Sequence, residues 1–299
     1  MKPTSIIFLV LSLLLIAGGV ITCSVARDIA LTDNYPLFSE SEDGESFSRH
    51  TFDAGSISKI ELLVSDAEIN IIGGADECAI ELHNFQEGLY AFSTSASVVS
   101  FDEIPDLKSL FSFRSGFSFS GLRYYLRPGS SLNKTKRIDL YLTADSALRI
   151  LNIEGDRCAV TADKVLAQFD ISVKAAKEAD LKLTDYRTAC ALSVSTKQLS
   201  MELSSCYVHA FSVTAADASL EAGELYFDDM TLNVQSGSLH ILSTAGLARY
   251  GYDLHGSGKF ILAGVEKPLP FSSDPPGTNT VVISGNIGQS ELRLDEIVD

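Results

Sequence analysis

The sequence predicts an all-β protein, a single-stranded β-solenoid of about 20-residue coils behind one N-terminal transmembrane helix. Three observations lead there. Apolar-polar-apolar triplets return at a near-constant interval, a single long run near the N-terminus carries no charge, and the composition suits pleated, half-buried surface. Trp is absent, but 16 Phe and 10 Tyr accompany many Val, Ile, Leu, Ser and Thr.

The triplets are Ile171-Ser172-Val173, Leu192-Ser193-Val194, Phe211-Ser212-Val213, Leu232-Asn233-Val234 and Tyr252-Asp253-Leu254, whose starts lie 21, 19, 21 and 20 residues apart. A second apolar row follows each: Leu181/Leu183, Met201/Leu203, Leu220, Leu239/Ile241 and Phe260/Leu262. Alternation with period two makes β-strands with one buried face, and Ser236-Gly237-Ser238 and Gly256-Ser257-Gly258 supply turns. Stacked at about 4.8 Å per coil, five such units build a parallel stack of roughly 24 Å. The alternative is an antiparallel β-sandwich, which spaces its strands similarly but has no reason to hold one phase through five successive pairs. On this pattern Val173, Val194, Val213 and Val234 form one inward column.

Earlier in the chain, Ile60-Leu62-Val64, Ile69-Ile71 and Ile80-Leu82 alternate in the same way, as do Ile138-Leu140-Leu142 and Leu148-Ile150-Ile153 leading into Val160. Residues 86–135 interrupt the pattern with Phe101, Phe111, Phe113, Phe117, Phe119, Tyr124 and Tyr125 beside Arg114, Arg123 and Arg127. A hairpin covering the first coil is one reading of this insertion. A ligand surface is the other, made by Phe111, Phe113, Arg114, Phe117, Phe119, Arg123, Tyr124, Tyr125 and Arg127, because aromatic rings and arginines dominate recognition sites. At the far end, Lys267-Pro268-Leu269-Pro270 and Asp274-Pro275-Pro276-Gly277 break the register. Residues 280–294 then suit an atypical terminal strand that shields the last open edge.

Residues 1–5 are a short cytoplasmic end. Ile6 to Ala26 contains no charged side chain over 21 residues, which at 1.5 Å per helical residue spans a hydrocarbon core of roughly 30 Å. An uncleaved single-pass anchor in the bilayer, with Lys2 inside, is the expectation. Cleavage near Ala26, after Ser24-Val25-Ala26, would instead secrete the outer part, and Val20-Ile21-Thr22-Cys23 approximates a lipidation site. Residues 27–50 hold Asp28, Asp33, Glu40, Glu42, Asp43 and Glu45 among turn formers and read as an acidic, polar linker. The extracytoplasmic β-repeat domain then covers 51–295.

Charge excludes one class of partner. With 23 basic and 39 acidic residues the net charge is −16, which repels nucleic acid. Cys78, Cys158, Cys190 and Cys206 lie too far apart for a metal or redox motif, and most are expected to be buried thiols. His50, His83, His209, His240 and His255 are scattered, each expected to face solvent. Asp228-Asp229 and Glu221/Glu224 give neighbouring carboxylates without the basic groups a lyase needs, and no nucleophile elbow or phosphate loop occurs. The sequence thus predicts no enzyme, no cofactor and no metal, and outward Ser, Thr, Lys and Asp form no row that a ligand could read.

Four segments carry a family resemblance. They are Ile57-Ser58-Lys59-Ile60-Glu61-Leu62, Arg137-Ile138-Asp139-Leu140-Tyr141-Leu142, Gln235-Ser236-Gly237-Ser238-Leu239 and Ile283-Ser284-Gly285-Asn286-Ile287-Gly288. Residues 50–295 resemble the "putative adhesin" family of bacterial envelope proteins, a domain of unknown function with a β-solenoid repeat. The chain departs from that pattern at Ala176 and Ala216, which stand where Gly237 stands, and at Thr143-Ala144, where the pattern has proline. The resemblance implies a non-catalytic envelope scaffold that binds an envelope protein or cell-wall glycan. Its alternative is the ectodomain of an envelope-stress sensing system acting through another membrane protein. If Ile6–Ala26 anchors the chain, protease added to intact cells or protoplasts removes the part beyond about residue 30. Full protection of that part would refute the topology.

Overall fold

The computed structural model describes residues 47–85, 90–103, 135–165, 168–186, 190–274 and 282–297. The apolar run at 6–26, nearly all of the linker and residues 104–134 lie outside the described residues. Among the described residues no helix is long and apolar enough to cross a membrane.

The structure is all-β. Its strands are β1 (Phe47–Thr51), β2 (Lys59–Gly73), β3 (Ala79–His83), β4 (Tyr90–Ser95), β5 (Val98–Glu103), β6 (Arg137–Leu142), β7 (Ile150–Asp163), β8 (Asp170–Thr184), β9 (Ala191–Ser243), β10 (Gly251–Gly256), β11 (Lys259–Leu262), β12 (Val265–Lys267), β13 (Phe271–Ser273) and β14 (Val282–Glu296). Among the described residues they make one mixed sheet of 14 strands that does not close on itself. Its interior pairs are parallel, from β2 through β7 and β8 to β9, then β14 and β10. The antiparallel pairs lie at the two margins: β1 with β3, β3 with β6 and β4 with β5 at one, β10 with β13 and β11 with β12 at the other.

The twenty-residue spacing becomes strand register. Ile150 lies opposite Asp170 and Arg157 opposite Glu178, with a slip between Gly155 and Arg157 where the strand bends. β8 and β9 pair in the same way, Ile171 opposite Leu192 and Leu181 opposite Met201, with the slip between Lys174 and Glu178. Within the 53 residues of β9 the same interval continues. Thr244 donates its amide to the Leu225 carbonyl at 3.1 Å, and the rings of Tyr207 and Tyr226 stack 4.5 Å apart.

Alternate side chains of each strand turn inward and meet their counterparts in register. Phe101, Leu62, Ile153, Val173 and Val194 stand opposite one another along one such line. All are buried, as are Val213 and Val234. The outward neighbours are exposed or half-buried, as the period-two pattern requires. Each buried Val, Leu or Ile contributes about 1.5–3 kcal/mol through burial of apolar surface.

The order of strands departs from chain order at both ends. β14 does not shield the last edge. It runs between β9 and the β10–β11 pair, with Val234 opposite Ile287 and Leu239 opposite Leu292 on one side, Tyr252 opposite Ile283 and Phe260 opposite Leu292 on the other. Residues 280–294 are therefore interior, and 251–273 form the margin. The physical reason lies in what each segment can bury. Ile283, Ile287, Leu292 and Leu294 give β14 the two apolar rows of an inner strand, whereas β12 and β13 are three-residue strands flanking Pro268 and Pro270, which lack the amide an inner ladder needs.

At the opposite margin β5 and β6 both pair with the outer side of β2, so the segment 90–103 of the expected insertion is a hairpin whose Val99 and Phe101 belong to the core. β1 begins at Phe47, inside the stretch assigned to the linker. Arg49 pairs with Glu81 at 2.6 Å and His50 stacks on Phe92 at 4.0 Å. These contacts hold residues 47–50 in the sheet. A buried carboxylate without a partner tests the apolar line: Val194→Asp should cost several kcal/mol and lower the melting temperature markedly. An unchanged transition would show that Val194 is not in the core.

Candidate binding groove

The bends that interrupt the strands are themselves in register, and they line up as a surface groove of about 850 Å³. Arg157 of β7, Lys177 and Glu178 of β8, then Lys197, Gln198, Ala216, Asp217, Gln235 and Ser236 along β9 line it, followed by Gly288 and Gln289 of β14 and Ser257 after β10. At about 4.8 Å per strand the groove is roughly 25–30 Å long. Close backbone packing shapes it. Gly237 has φ +124°, and a Cβ there would stand 1.9 Å from the Ala218 carbonyl oxygen, so no other residue fits without moving the strand. Beside it the Ser236 hydroxyl donates to the Ala216 carbonyl at 3.0 Å or the Asp217 carboxylate at 2.9 Å.

Arg157, Lys177 and Lys197 fall at intervals of twenty residues on successive strands, although the register sets Arg157 opposite Glu178 and Glu178 opposite Gln198, with each lysine one residue before these partners. The spacing was readable in the sequence, but the repeat is most regular in its apolar rows, and the three cations sit at the slips between them. Arg157 stands 3.6 Å from Asp66 and 3.7 Å from Glu178, and Lys177 is 2.6 Å from Asp156. Lys197 has no ion pair among the described residues. In the other half of the groove Asp217 is the charged side chain, and the remaining amides and hydroxyls can donate and accept.

Two other polar clusters were not anticipated. His83 is buried, not solvent-facing, and with Glu81 and Asp139 it forms a trio whose possible ligand atoms lie within 4.8 Å of one another. Antiparallel pairing of β3 with β6 brings these residues together across a long sequence gap, so spacing gave no signal. Their chemistry could hold a metal ion, but cations already serve it. Arg49 reaches Glu81 at 2.6 Å, Arg137 donates to Asp139 at 3.2 Å, Asn70 donates to Asp139 at 2.7 Å and the Tyr141 hydroxyl donates to Glu81 at 3.1 Å. Two guanidinium groups balance the two carboxylates, and the trio reads as a buried ion-pair network holding the margin.

The second cluster is a ladder. Tyr207 stacks on Tyr226, and the Arg249 guanidinium lies 5.1 Å over Tyr226 while donating to its hydroxyl at 2.8 Å and to Asp228 at 2.9 Å. Tyr226 thus has one ring face against Tyr207 and the other under Arg249. Asp228 also pairs with His209 at 2.7 Å, and Glu221 with His240 at 3.0 Å, so these acids are engaged by residues nineteen positions away within β9. The residues expected to bind a ligand, Phe111, Phe113, Arg114, Phe117, Phe119, Arg123, Tyr124, Tyr125 and Arg127, lie outside the described residues.

An open, largely parallel all-β sheet with a polar groove across its bends defines the class. Within it, a solved structure described as a "putative adhesin" from Bacteroides fragilis NCTC 9343 is similar at a TM-score of 0.50 and 11% identity, covering 86% of this chain and 98% of that one. That is a likeness of fold. A "putative cell adhesion protein" from Clostridium sporogenes ATCC 15579 has a TM-score of 0.37 at 11% identity, covering 85% of this chain and 100% of that one. A "putative lipid binding protein" from Parabacteroides distasonis ATCC 8503 reaches 0.38 at 12% identity, covering 85% and 97%. These two superpose too loosely for anything to be carried from them. No protein-family model matches the chain, and no curated protein does.

Cys78, Cys158 and Cys206 are buried and Cys190 is half-buried. Burial pushes the Cys158 thiol from 9.0 up to about 12, with Asp66 and Asp156 adding to the effect, and burial likewise pushes Tyr250 from 10.0 up to about 12. Both groups ionise more easily in the unfolded chain. Their contribution to stability is therefore complete below pH 9 and is lost as pH rises toward about 12. Denaturant midpoints should fall steadily across that window. Among these four cysteines, a thiol reagent at pH 8 should label Cys190 in the native protein and the other three only on unfolding. Native labelling of Cys158 at the Cys190 rate would contradict its burial.

Proposed function

We propose that this protein is a non-catalytic, extracytoplasmic scaffold tethered to the cell membrane through residues 6–26, a β-solenoid whose groove binds an extended envelope ligand such as a cell-wall glycan. The continuous polar groove crossing β7, β8, β9, β14 and the turn after β10 is the observation that supports it most. Registers of 20 and 21 residues between β7 and β8, and the same between β8 and β9, are what successive solenoid coils require. An antiparallel sandwich would instead pair its interior strands in opposite directions. Similarity of fold to an adhesin-labelled structure fits a surface protein that binds.

A long groove of amides, hydroxyls and scattered charges matches a chain that presents hydroxyls at every unit. It lacks the enclosed, apolar shape typical of sites for small drug-sized ligands. The neighbouring acids Asp228 and Glu221 are tied to His209 and His240 nineteen residues away within β9, and Asp228 also to Arg249. Retention of the full-length protein on purified cell-wall glycan tests the proposal. Gln198→Ala with Gln289→Ala removes two groove amides and should weaken retention about tenfold, each lost hydrogen bond contributing about 0.5–1.5 kcal/mol. Unchanged retention in that variant, together with its loss on deleting residues 108–127, would move the site to the aromatic segment and refute the groove.

A further inference from the structure

We propose that the groove's ligand is a glycan bearing intermittent carboxylates, and that Lys197 is the residue that meets them. This deepens the glycan-binding reading above and rests on it. The groove has three cations, and two of them are committed. Arg157 lies between Asp66 and Glu178, and the Lys177 ammonium is 2.6 Å from Asp156. Lys197, on β9, has no ion pair among the described residues and lines the groove beside Gln198.

Charge argues about how dense the anion can be. A polymer with a charge at every step, such as polyphosphate, would bring anions against Glu178 and Asp217, which also line the groove, and into the field of a chain with net charge −16. A wholly neutral glycan would leave Lys197 unused. A glycan with separated carboxylates places one at Lys197 and lays its hydroxyls along Gln235, Ser236 and Gln289. Those groups supply donors and acceptors without charge.

The test compares hyaluronan, which carries a carboxylate only on every second sugar, with the same polymer after its carboxyl groups are reduced to alcohols, using full-length protein in detergent. The unmodified protein should hold the acidic polymer about two- to fivefold more tightly at low ionic strength, the range an exposed ion pair supports. Salt should shrink that preference. Lys197→Gln should abolish that preference, so that the variant holds the two polymers equally. Lys182→Gln, which alters a lysine paired with Glu202 at 2.8 Å outside the groove, should preserve it. Equal binding of the two polymers by the unmodified protein, or a preference that survives in Lys197→Gln, overturns the role of Lys197 but leaves the groove as a glycan site. Binding of neither polymer overturns both.

Discussion

Everything in this protein depends on a parallel backbone ladder held in register by stacked apolar side chains. Each interior strand satisfies its amides and carbonyls on the two strands beside it, while its inward residues rest on those of the same neighbours. Leu62, Ile153, Val173 and Val194 meet in this way along one line, and Ile69, Val160, Leu181 and Met201 along another. Hydrogen bonds fix the spacing and burial fixes the phase, because a slip of one residue would turn an entire apolar row to solvent. The bends at Gly155–Arg157 and Lys174–Glu178 are tolerated because the slip at each is recovered on the next strand.

A ladder of this kind has two open ends, and the chain treats them alike. At each, a segment runs outward past its neighbour and the chain then returns: β5 and β6 lie outside β2 before β7 resumes the interior, and β10 and β11 lie outside β14. Antiparallel hairpins follow on both outer sides. Short strands, prolines and bound-up charge are the usual means of blunting an exposed edge, and both margins use them. One has Pro268 and Pro270. The other has Glu81, His83 and Asp139 buried and balanced by Arg49 and Arg137 at the surface.

How far the sequence could be read follows from this physics. The rows at Ile171, Leu192, Phe211 and Leu232 were legible because the same apolar spacing was repeated where stacking demands it, and all four residues are buried. The place of β14 was not. Its Ile283 and Leu292 stand opposite Tyr252 and Phe260, and both segments show the same alternation, so chain order suggested the wrong neighbour; what separated them was the capacity of the flanking residues to continue a ladder. His83 was misplaced for a related reason. Alternation marks one face as outward, but an outward face at a margin becomes buried when a returning strand lays charged partners across it.

The groove illustrates the difference between what holds a fold and what a fold exposes. Apolar rows repeat closely because each residue must fit the one stacked on it, and that fit constrains identity. At the bends the backbone must repeat while the side chains need not, so Arg157, Lys177, Lys197, Asp217, Ser236 and Gln289 can differ at equivalent places without disturbing the core. Regularity there appears as geometry, one bend above the next, and chemistry varies along it. A stacked sheet thereby offers a long surface in which each strand contributes an independently variable contact. That separation lets a chain with a strongly negative net charge keep a cation in one groove without altering the interactions that hold its strands together.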